Sequence, residues 1–594
     1  MKISRSFFKK WNIWIYFLLA AVRIWIAIQT PIVAHMSSLF DDQTLINYTK
    51  NILSGNWLGD YSHLTLRKSP GYSLFLAISF YIGIPYQALL ITFLVLAALF
   101  FLHAVKPLVH NEIVQVILYA GIIYSPNSFT YRFLQATYRM GVIVPSTMVV
   151  FSAYIAIFLY RNQPTKKLIP YGIVGGIGCA IFWFSMESSV WIAPFIVTSS
   201  LVLFIVWCTD KNKETASFLV LMKKGCVLAI TPLITITAGL GLSSINYMHY
   251  GVFLVSDYTQ GSFAKLAAEI VRIKANDSDE HGSSVWVTRN AINLAFKNSP
   301  TLRTVESDIR KAWDGWAGSD TKELQGDFCW WALRTGYQDA GYFKDAQKTQ
   351  QFYEKASQEL HTAFSHGKLK ERTGLFISSS APPITKNTAS IWLKHVGKLS
   401  LDLVNPKTIL GNVGTHAPSS STADINSDFD WLTFVRTASS GRVAGVEGDS
   451  TNQLFRPILR ANLALAALSY ISWFTLASVG IFAAIQATRQ RRRKTGEMLL
   501  CASGLILSGA ILIMGVSWFV EFFWTSSVSG ESSVSIAGYG IGFYPVWEMF
   551  ICIVAGFGLS NWIPKSDTYT ICQSPKPSSF TKNQEKHCPD ALRV

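Results

Sequence analysis

The chain has 594 residues, of which 50% are hydrophobic and only 15% are charged. Disordered chains need low hydrophobicity and soluble domains carry about 25% charged residues, so the composition excludes a disordered chain and argues against an ordinary soluble enzyme. The formal net charge is nevertheless +16. A nucleic-acid-binding protein would gather such an excess on one folded polar face, so the position of the basic residues decides what the charge means.

Long apolar runs recur along the whole chain. Runs of about 18 or more residues predict membrane-spanning helices, because about 20 residues cross the hydrocarbon core of a bilayer. Two shorter runs, 70–84 and 113–125, are candidates for short or tilted crossings. We therefore predict a polytopic α-helical membrane protein with ten or eleven transmembrane helices. The clear runs are 12–30, 86–105, 140–160, 170–186, 189–208, 226–245, 461–486, 497–519 and 540–562.

The basic residues lie between these runs in a pattern that indicates orientation. Lys and Arg in short loops mark the cytoplasmic side of a membrane. The net charge is +15 over the proposed cytoplasmic segments, which are 1–11, 161–169, 209–225, 487–497 and 563–594. The excess therefore predicts a multi-pass protein of the plasma membrane, with both termini in the cytoplasm. It predicts no binding of nucleic acid.

One pair of runs conflicts with this topology. Termini on the same side require an even number of crossings, whereas 70–84 and 86–105 bring the count to eleven if both cross. The two runs are joined by Gly83-Ile84-Pro85, which is compatible with a tight turn or with a kink inside one crossing. Both arrangements stay open at the level of the sequence.

Residues 246–455 contain no membrane run and are neutral overall. Amphipathic helical spacing at 260–273, 342–364 and 386–404 alternates with loops rich in Gly, Ser and Asp. The segment is long enough to have its own core. We predict a mainly helical extracytoplasmic domain, inserted before the last three helices. The other predicted units are a transmembrane module, 1–245, the last transmembrane helices, 456–562, and a disordered cytoplasmic tail, 563–594.

The first outer loop, 31–69, carries the most informative polar residues. Asp41 and Asp42 precede a helical pattern at 43–54 that presents three apolar side chains at helical spacing, Leu45, Tyr48 and Ile52. Paired acids at the mouth of a membrane bundle suit a general base or a metal site. The alternative is that one acid only caps the helix.

Around this loop, a set of features follows in order. The acidic pair comes after the first transmembrane run, and then come the helix, Gly55, Trp57 and the sequence Arg67-Lys68-Ser69-Pro70-Gly71-Tyr72. This order resembles the first outer loop of the GT-C superfamily of integral-membrane glycosyltransferases. It is most similar to protein O-mannosyltransferases and lipid A aminoarabinose transferases, over residues 12–105 in particular. Many relatives have Pro-Pro or Gly-Pro where this chain has Ser69-Pro70-Gly71.

The resemblance implies a chemistry and assigns residues to it. It implies Asp41 as the base that activates an acceptor, Asp42 as a contact to the acceptor or a metal, and a donor sugar carried on polyprenyl phosphate. Arg67 and Lys68 occupy the position that would hold this phosphate, and their alternative role is to reach lipid headgroups. A carboxylate can take a hydroxyl proton, and cations stabilise a leaving phosphate. The acceptor would be an envelope glycan, glycolipid or protein.

Further charged residues have two interpretations each. Arg132 and Arg139, each preceded by Tyr, either contact the donor phosphate or anchor the membrane interface. Glu187 interrupts two apolar runs and is a candidate second acid. Arg23, inside the first run, either pairs with such an acid or reaches outward.

The sequence assigns no certain cofactor, and two other functions stay open. The acid pair would also suit Mg²⁺ or Mn²⁺. Trp330 and Trp331 either stack on sugars or belong to a core. A secondary transporter or flippase of lipid-linked sugars would need charged residues near the bilayer midplane. A non-catalytic envelope assembly protein would tolerate Asn at Asp41 and Asp42.

Overall fold

The computed structural model describes residues 5–34, 40–186, 189–209, 218–276, 284–317, 323–413, 423–435, 442–443, 446–447, 450–490, 494–523 and 536–562. Most of these residues are helical. The strands among them are two short segments, Arg442–Val443 and Val446–Glu447, which pair antiparallel.

The N-terminal part contains α1 (Arg5–Gln29), α2 (Asp42–Leu53), α3 (Gly71–Tyr81), α4 (Tyr86–Val105), α5 (Glu112–Ile123), α6 (Met140–Leu159), α7 (Thr165–Ser185), α8 (Ile192–Cys208) and α9 (Phe218–Tyr250). The middle part contains α10 (Gly261–Arg272), α11 (Arg289–Asn298), α12 (Pro300–Arg303), α13 (Glu306–Ala317), α14 (Phe328–Asp339), α15 (Ala346–Ser365), α16 (Lys386–Val404), α17 (Pro406–Gly411) and α18 (Ala423–Thr433). The last three are α19 (Ser450–Arg489), α20 (Thr495–Phe523) and α21 (Phe543–Trp562).

Seven helices in the described ranges are long and apolar enough to cross a membrane, namely α4, α6, α7, α9, α19, α20 and α21. Shorter apolar helices are α3, α8 and residues 13–29 of α1. The prediction of a helical membrane protein is confirmed at this level. α6 is buried along almost its whole length, and it packs on α4 and α7.

Hydrogen bonds between helix termini show which termini lie at the same end of the bundle. At the first-loop end, which carries residues 31–69, the Gln87 amide donates to Thr30 O and to Leu134 O, both at 2.9 Å. At the far end, Tyr160 OH donates to His103 O at 3.0 Å. The Arg161 guanidinium pairs there with Glu497 at 2.7 Å. α4 therefore runs from the first-loop end to the far end.

The runs 70–84 and 86–105 form two helices, α3 and α4, with a turn between them. Gly83 in the turn has a φ of +70°, which glycine adopts without strain. α3 spans only about 16 Å, roughly half of the hydrocarbon thickness. Its Phe80 ring packs on Trp431 and Phe434, with ring centroids at 4.5 and 5.4 Å. The segment 83–85 is thus a tight turn, and both α3 and the start of α4 lie at the first-loop end.

The middle part has its own hydrophobic core, built mainly by α10 to α15. Trp330 lies inside it, fully buried, and its indole N–H donates to Ser380 O at 2.9 Å. The amphipathic helices predicted at 260–273, 342–364 and 386–404 are α10, α15 and α16. α9 extends to Tyr250 and α19 begins at Ser450, so both long helices reach a few residues into the segment 246–455.

Arg23 of α1 binds the last carbonyl group of α5 and a carbonyl group of the segment that follows this helix. Arg23 is fully buried and donates to Ile123 O at 3.0 Å and to Ser128 O at 2.5 Å. Its guanidinium lies 4.3 Å from the centre of the Phe129 ring. The last carbonyls of a helix lack intrahelical partners, and leaving them unpaired in apolar surroundings is costly. Arg23 therefore does not reach outward, and its predicted partner Glu187 lies outside the described residues.

Candidate functional site

The helix predicted at 43–54 is α2, and it rests on protein. Leu45 and Tyr48 are buried, and Tyr48 OH donates to Leu64 O at 2.5 Å. α2 packs against α3 and against α18 of the middle part, where Lys50 and Asp428 form an ion pair at 2.8 Å. The first loop is thus a folded element between the bundle and the middle part.

Asp41 occupies the N-cap position of α2, but its side chain makes no capping hydrogen bond. The carboxylate instead accepts two other bonds on Oδ1, from Lys68 Nζ at 2.8 Å and from Tyr138 OH at 3.0 Å. Lys68 Nζ also lies 3.3 Å from Tyr138 OH, so the three groups form a closed triangle. The capping interpretation therefore does not hold for Asp41, whose side chain belongs to this polar cluster.

Opposing influences set the pKa of Asp41. Burial among surrounding protein atoms is the largest and raises the pKa, although solvent still reaches 60% of the side chain. The carboxylate therefore lies close to many protein atoms and is still open to solvent. Lys68, Arg139 and the Tyr138 hydroxyl act against burial, and the pKa of Asp41 is lowered to about 2. Asp41 is therefore ionised at neutral pH.

Asp42 has a different environment. It is the first residue of α2, is only 4% exposed, and accepts the Gln43 N–H on Oδ1 at 3.0 Å. Acidic side chains in the first turn of a helix are stabilised by the helix dipole. Asp42 thus stabilises the N-terminus of α2, and the solvent-exposed acid of the pair is Asp41.

Arg67 is held by the middle part. Its guanidinium lies 3.3 Å from the centre of the Tyr258 ring and 4.5 Å from that of Trp331, and it pairs with Asp327 at 3.3 Å. Only 6% of the Arg67 side chain is exposed. Burial raises the pKa of Asp327, and the cations Arg67 and Lys68 oppose it. A phosphate would have to compete with Asp327 for Arg67.

A fully buried ion pair fastens the first loop next to this position. Arg334 of α14 pairs with Asp257 at 2.8 Å, and neither side chain is exposed. Arg334 also donates to His63 O at 2.7 Å and to Thr65 O at 3.3 Å. Leu66, just before Arg67, has a φ of +61°, and its carbonyl accepts the Asp257 N–H at 2.9 Å. Docking on the middle part thus holds a strained backbone position beside the site.

Aromatic rings line the side of the site that belongs to the middle part. The Phe40 ring lies 4.8 Å from Trp316 and 4.9 Å from Trp331, between ring centroids. Phe328 stacks on Trp316 at 5.8 Å. Of the two tryptophans predicted to stack on sugars or to belong to a core, Trp330 is in the core and Trp331 contacts the first loop.

Arg139 and Arg132 flank the same end of the bundle. Both are half-buried, and each lies over the preceding tyrosine ring, at 5.0 Å for Tyr138 and 5.5 Å for Tyr131. The positive charge of Arg139 acts on Asp41, whereas Arg132 lies close to Gly538 before α21. Glu187, the candidate second acid, lies outside the described residues.

The surroundings of Asp41 and Asp42 bear on whether the two acids could bind a metal. Among the residues that the structure describes, no group of three or more His, Cys, Asp or Glu side chains converges. Asp41 already accepts from Lys68 and Tyr138, and Asp42 is buried at the start of α2.

Sequence reasoning missed the residues that the middle part contributes. Asp327, Tyr258 and Arg334 surround Arg67 and the loop from positions between about 190 and 270 residues away in the chain. None of them belongs to a local motif. Asp327 lies three residues before Trp330 in the chain, and nothing in this spacing predicts a contact with Arg67.

Comparison with known proteins adds no relative. No family model, no curated protein and no solved structure matches the chain. The likeness of the first loop to GT-C enzymes therefore stays a prediction, and the function has to be argued from the geometry of the site.

Proposed function

We propose that the protein is a membrane glycosyltransferase of the GT-C type. It would move a sugar from a polyprenyl-phosphate donor to an envelope glycan, glycolipid or protein acceptor on the outer face of the cell membrane. The observation that carries the proposal is the solvent-exposed Asp41 carboxylate, which accepts hydrogen bonds from Lys68 and Tyr138 and has a lowered pKa. A proton acceptor and a phosphate-binding cation thus lie within one hydrogen bond of each other.

The arrangement of the helices supports an outward-facing site. With α3 at the outer face, the proposed crossings are α1, α4 to α9 and α19 to α21, which make ten, an even number. Both termini are then cytoplasmic. At the far end, Lys494 donates to Pro107 O at 3.1 Å and Arg161 pairs with Glu497, so described parts of two basic segments share that end.

Two residues of the Asp41–Lys68–Tyr138 triangle, Asp41 and Lys68, act directly in the transfer step. Asp41 takes the proton of the acceptor hydroxyl while the acceptor oxygen forms a bond to the anomeric carbon. The bond between this carbon and the phosphate oxygen breaks, and its electron pair leaves with polyprenyl phosphate. Lys68 and Arg139 stabilise the charge that grows on the phosphate, and they do so strongly where water is sparse.

Donor binding is also needed to make Asp41 an effective base. A carboxylate with a pKa of about 2 is weakly basic, and general bases work best when their pKa lies near the working pH. A donor phosphate would compete with Asp41 for Lys68 and would add a nearby negative charge. Both changes raise the pKa of Asp41. We therefore propose that the donor binds before the acceptor is activated.

Arg67 has a positioning role in this scheme. Asp327 and two aromatic rings hold its guanidinium, so it keeps Lys68, the next residue, in place. The half-buried arginines, Arg139 and Arg132, are the more accessible candidates for the rest of the donor phosphate. In this scheme, membrane lipid surrounds the apolar helices of the bundle.

Transfer of radiolabelled sugar from polyprenyl phosphates to membrane acceptors tests the function. Membranes containing the wild-type chain should transfer label, and Asp41→Asn should lower the rate by about 10²-fold or more, the usual effect of losing a general base. Asp60→Asn is the matched control, because Asp60 is an exposed acid of the same loop. It should leave transfer unchanged.

The outcomes separate the alternatives. Full transfer by Asp41→Asn would show that Asp41 is not the base. No transfer by the wild-type chain with a range of donor sugars would favour a flippase, a transporter of lipid-linked sugars or an assembly protein. Lys68→Met should weaken donor binding more than Asp60→Asn does, and equal donor affinity in the two variants would remove Lys68 from the phosphate site.

A further inference from the structure

α16 packs along the outer end of an apolar helix. Trp392 donates from its indole N–H to Ser517 Oγ of α20 at 2.9 Å, and His395 contacts Glu521 at 2.9 Å. Both partners lie in the last two turns of α20, which is long and apolar enough to span a membrane. The Trp392 and Trp518 rings meet edge to face at 5.7 Å. Tryptophan is enriched where a bilayer meets water.

The opposite face of α16 combines apolar and basic side chains. Leu393 is 63% exposed and Leu401 is 69% exposed. Lys394 and Lys398, one turn apart, are exposed beside these leucines. A helix with leucines next to a row of lysines is typical of one that lies in the plane of a membrane interface, with the leucines among acyl chains and the lysines at the headgroups.

The exposed leucines join the apolar surface of the bundle. At the end of α16, Val404 O accepts a hydrogen bond from Tyr470 OH of α19 at 2.9 Å. The side chains next along α19, Ile471 and Phe474, are 64% and 71% exposed. Met514 of α20, one turn before Ser517, is 49% exposed. Lipid that covers these two helices would therefore lie close to α16.

We propose that α16 is an interfacial helix that binds the anionic headgroups of phospholipids through Lys394 and Lys398. The binding would anchor the middle part to the outer leaflet of the membrane. Charge complementarity favours an anionic occupant, because Asp402, the acid on this helix, is half-buried and Glu521 faces His395 on the packed side. This inference concerns the membrane surface and does not depend on transfer chemistry.

Lipid-selective binding in nanodiscs tests the proposal. The full chain is reconstituted in phosphatidylcholine alone or mixed with phosphatidylglycerol, and bound lipids are counted by native mass spectrometry. Each lysine near an anionic surface contributes a factor of about five, so Lys394→Gln with Lys398→Gln should lower the preference for phosphatidylglycerol by about 25-fold. Lys348→Gln with Lys355→Gln, two exposed lysines of α15, is the control with the same loss of charge.

Each possible result either supports or overturns the proposed lipid site on α16. A lower preference in the α16 variant with a normal preference in the α15 control supports the site. Equal preference in all proteins, or an equal loss in both variants, overturns it. Lys394→Arg with Lys398→Arg guards against misfolding, since it keeps both charges and should retain the wild-type preference. If it instead loses as much as the Gln variant, the lysine charges are not responsible and the proposal fails.

Discussion

Replacing Arg334 by Met should destabilise the protein and release its first outer loop. The guanidinium makes an ion pair with Asp257 at 2.8 Å and donates to the carbonyls of His63 and Thr65. Met keeps much of the volume but none of the donors. The variant therefore leaves one carboxylate and two loop carbonyls without their buried partner.

The magnitude follows from the burial of the pair. Neither side chain is exposed, and removing one partner of a buried ion pair typically costs about 3–5 kcal/mol.

The free-energy cost of Arg334→Met should depend on pH. Burial already raises the pKa of Asp257, and Arg334 opposes it, so the variant raises this pKa further. Asp257 is then protonated at a higher pH than in the wild type, and its uncompensated charge disappears. The destabilisation should therefore shrink as the pH falls.

Two measurements on the purified full chain check this prediction. Thermal unfolding compares Arg334→Met with Lys265→Met, whose exposed pair with Glu354 at 2.9 Å should contribute less than about 1 kcal/mol. Hydrogen exchange follows the amides of residues 60–70. Exchange should become faster in this segment of the Arg334→Met protein and stay unchanged in the Lys265→Met protein.

Equal losses of stability in Arg334→Met and Lys265→Met would refute the argument that a buried ion pair costs more to break than an exposed one. Unchanged exchange at 60–70 in a destabilised Arg334→Met protein would show that Arg334 does not hold the loop. Adding Asp257→Leu to Arg334→Met removes the orphaned charge, so the double variant should recover part of the loss. A further loss in the double variant would mean that the cost does not come from the carboxylate.

Three other predictions concern the charged residues nearby. In the wild-type protein, the lowered pKa of Asp41 stabilises the fold at any pH above 3.8, the ordinary pKa of the group, and this contribution is lost as the pH falls through about 2. Lys68→Met should remove most of this loss of stability at low pH, which unfolding measured as a function of pH would detect. Asp327→Asn should cost about 1–3 kcal/mol by leaving Arg67 without its counter-charge, measured by thermal unfolding, and no change would mean that the aromatic rings alone hold Arg67. Arg23→Met should speed hydrogen exchange over residues 120–130, and unchanged protection there would show that other donors bind the carbonyls of Ile123 and Ser128.

The helices of the bundle could be located from the sequence, in places to the residue. The run 86–105 is α4, and the amphipathic pattern at 386–404 is α16. Both signals are local. A segment in lipid must pair its backbone groups within itself, so hydrophobicity and length suffice to predict a helix. The acid pair at Asp41 and Asp42 was located in the same way, by its place between an apolar run and a helical pattern.

The roles within that pair needed the fold. Asp41 and Asp42 are adjacent and chemically identical, yet Asp41 is exposed and binds Lys68 and Tyr138, whereas Asp42 is buried at the start of α2. Their difference comes from neighbours that are distant in the chain. The same is true of Arg67, where the basic pair was evident but its ion pair with Asp327 was not.

Length, hydrophobicity and charge were enough to indicate a basic, polytopic helical protein whose middle segment is folded, because each depends on composition and on spacing within one helix. The tertiary structure decided that Arg67 pairs with Asp327, that a turn at 83–85 separates α3 from α4, and that Arg23 binds the end of α5. These features depend on which side chains meet across the bundle. A pairing between residues 260 positions apart, such as Arg67 with Asp327, is a consequence of packing and leaves no trace in local spacing.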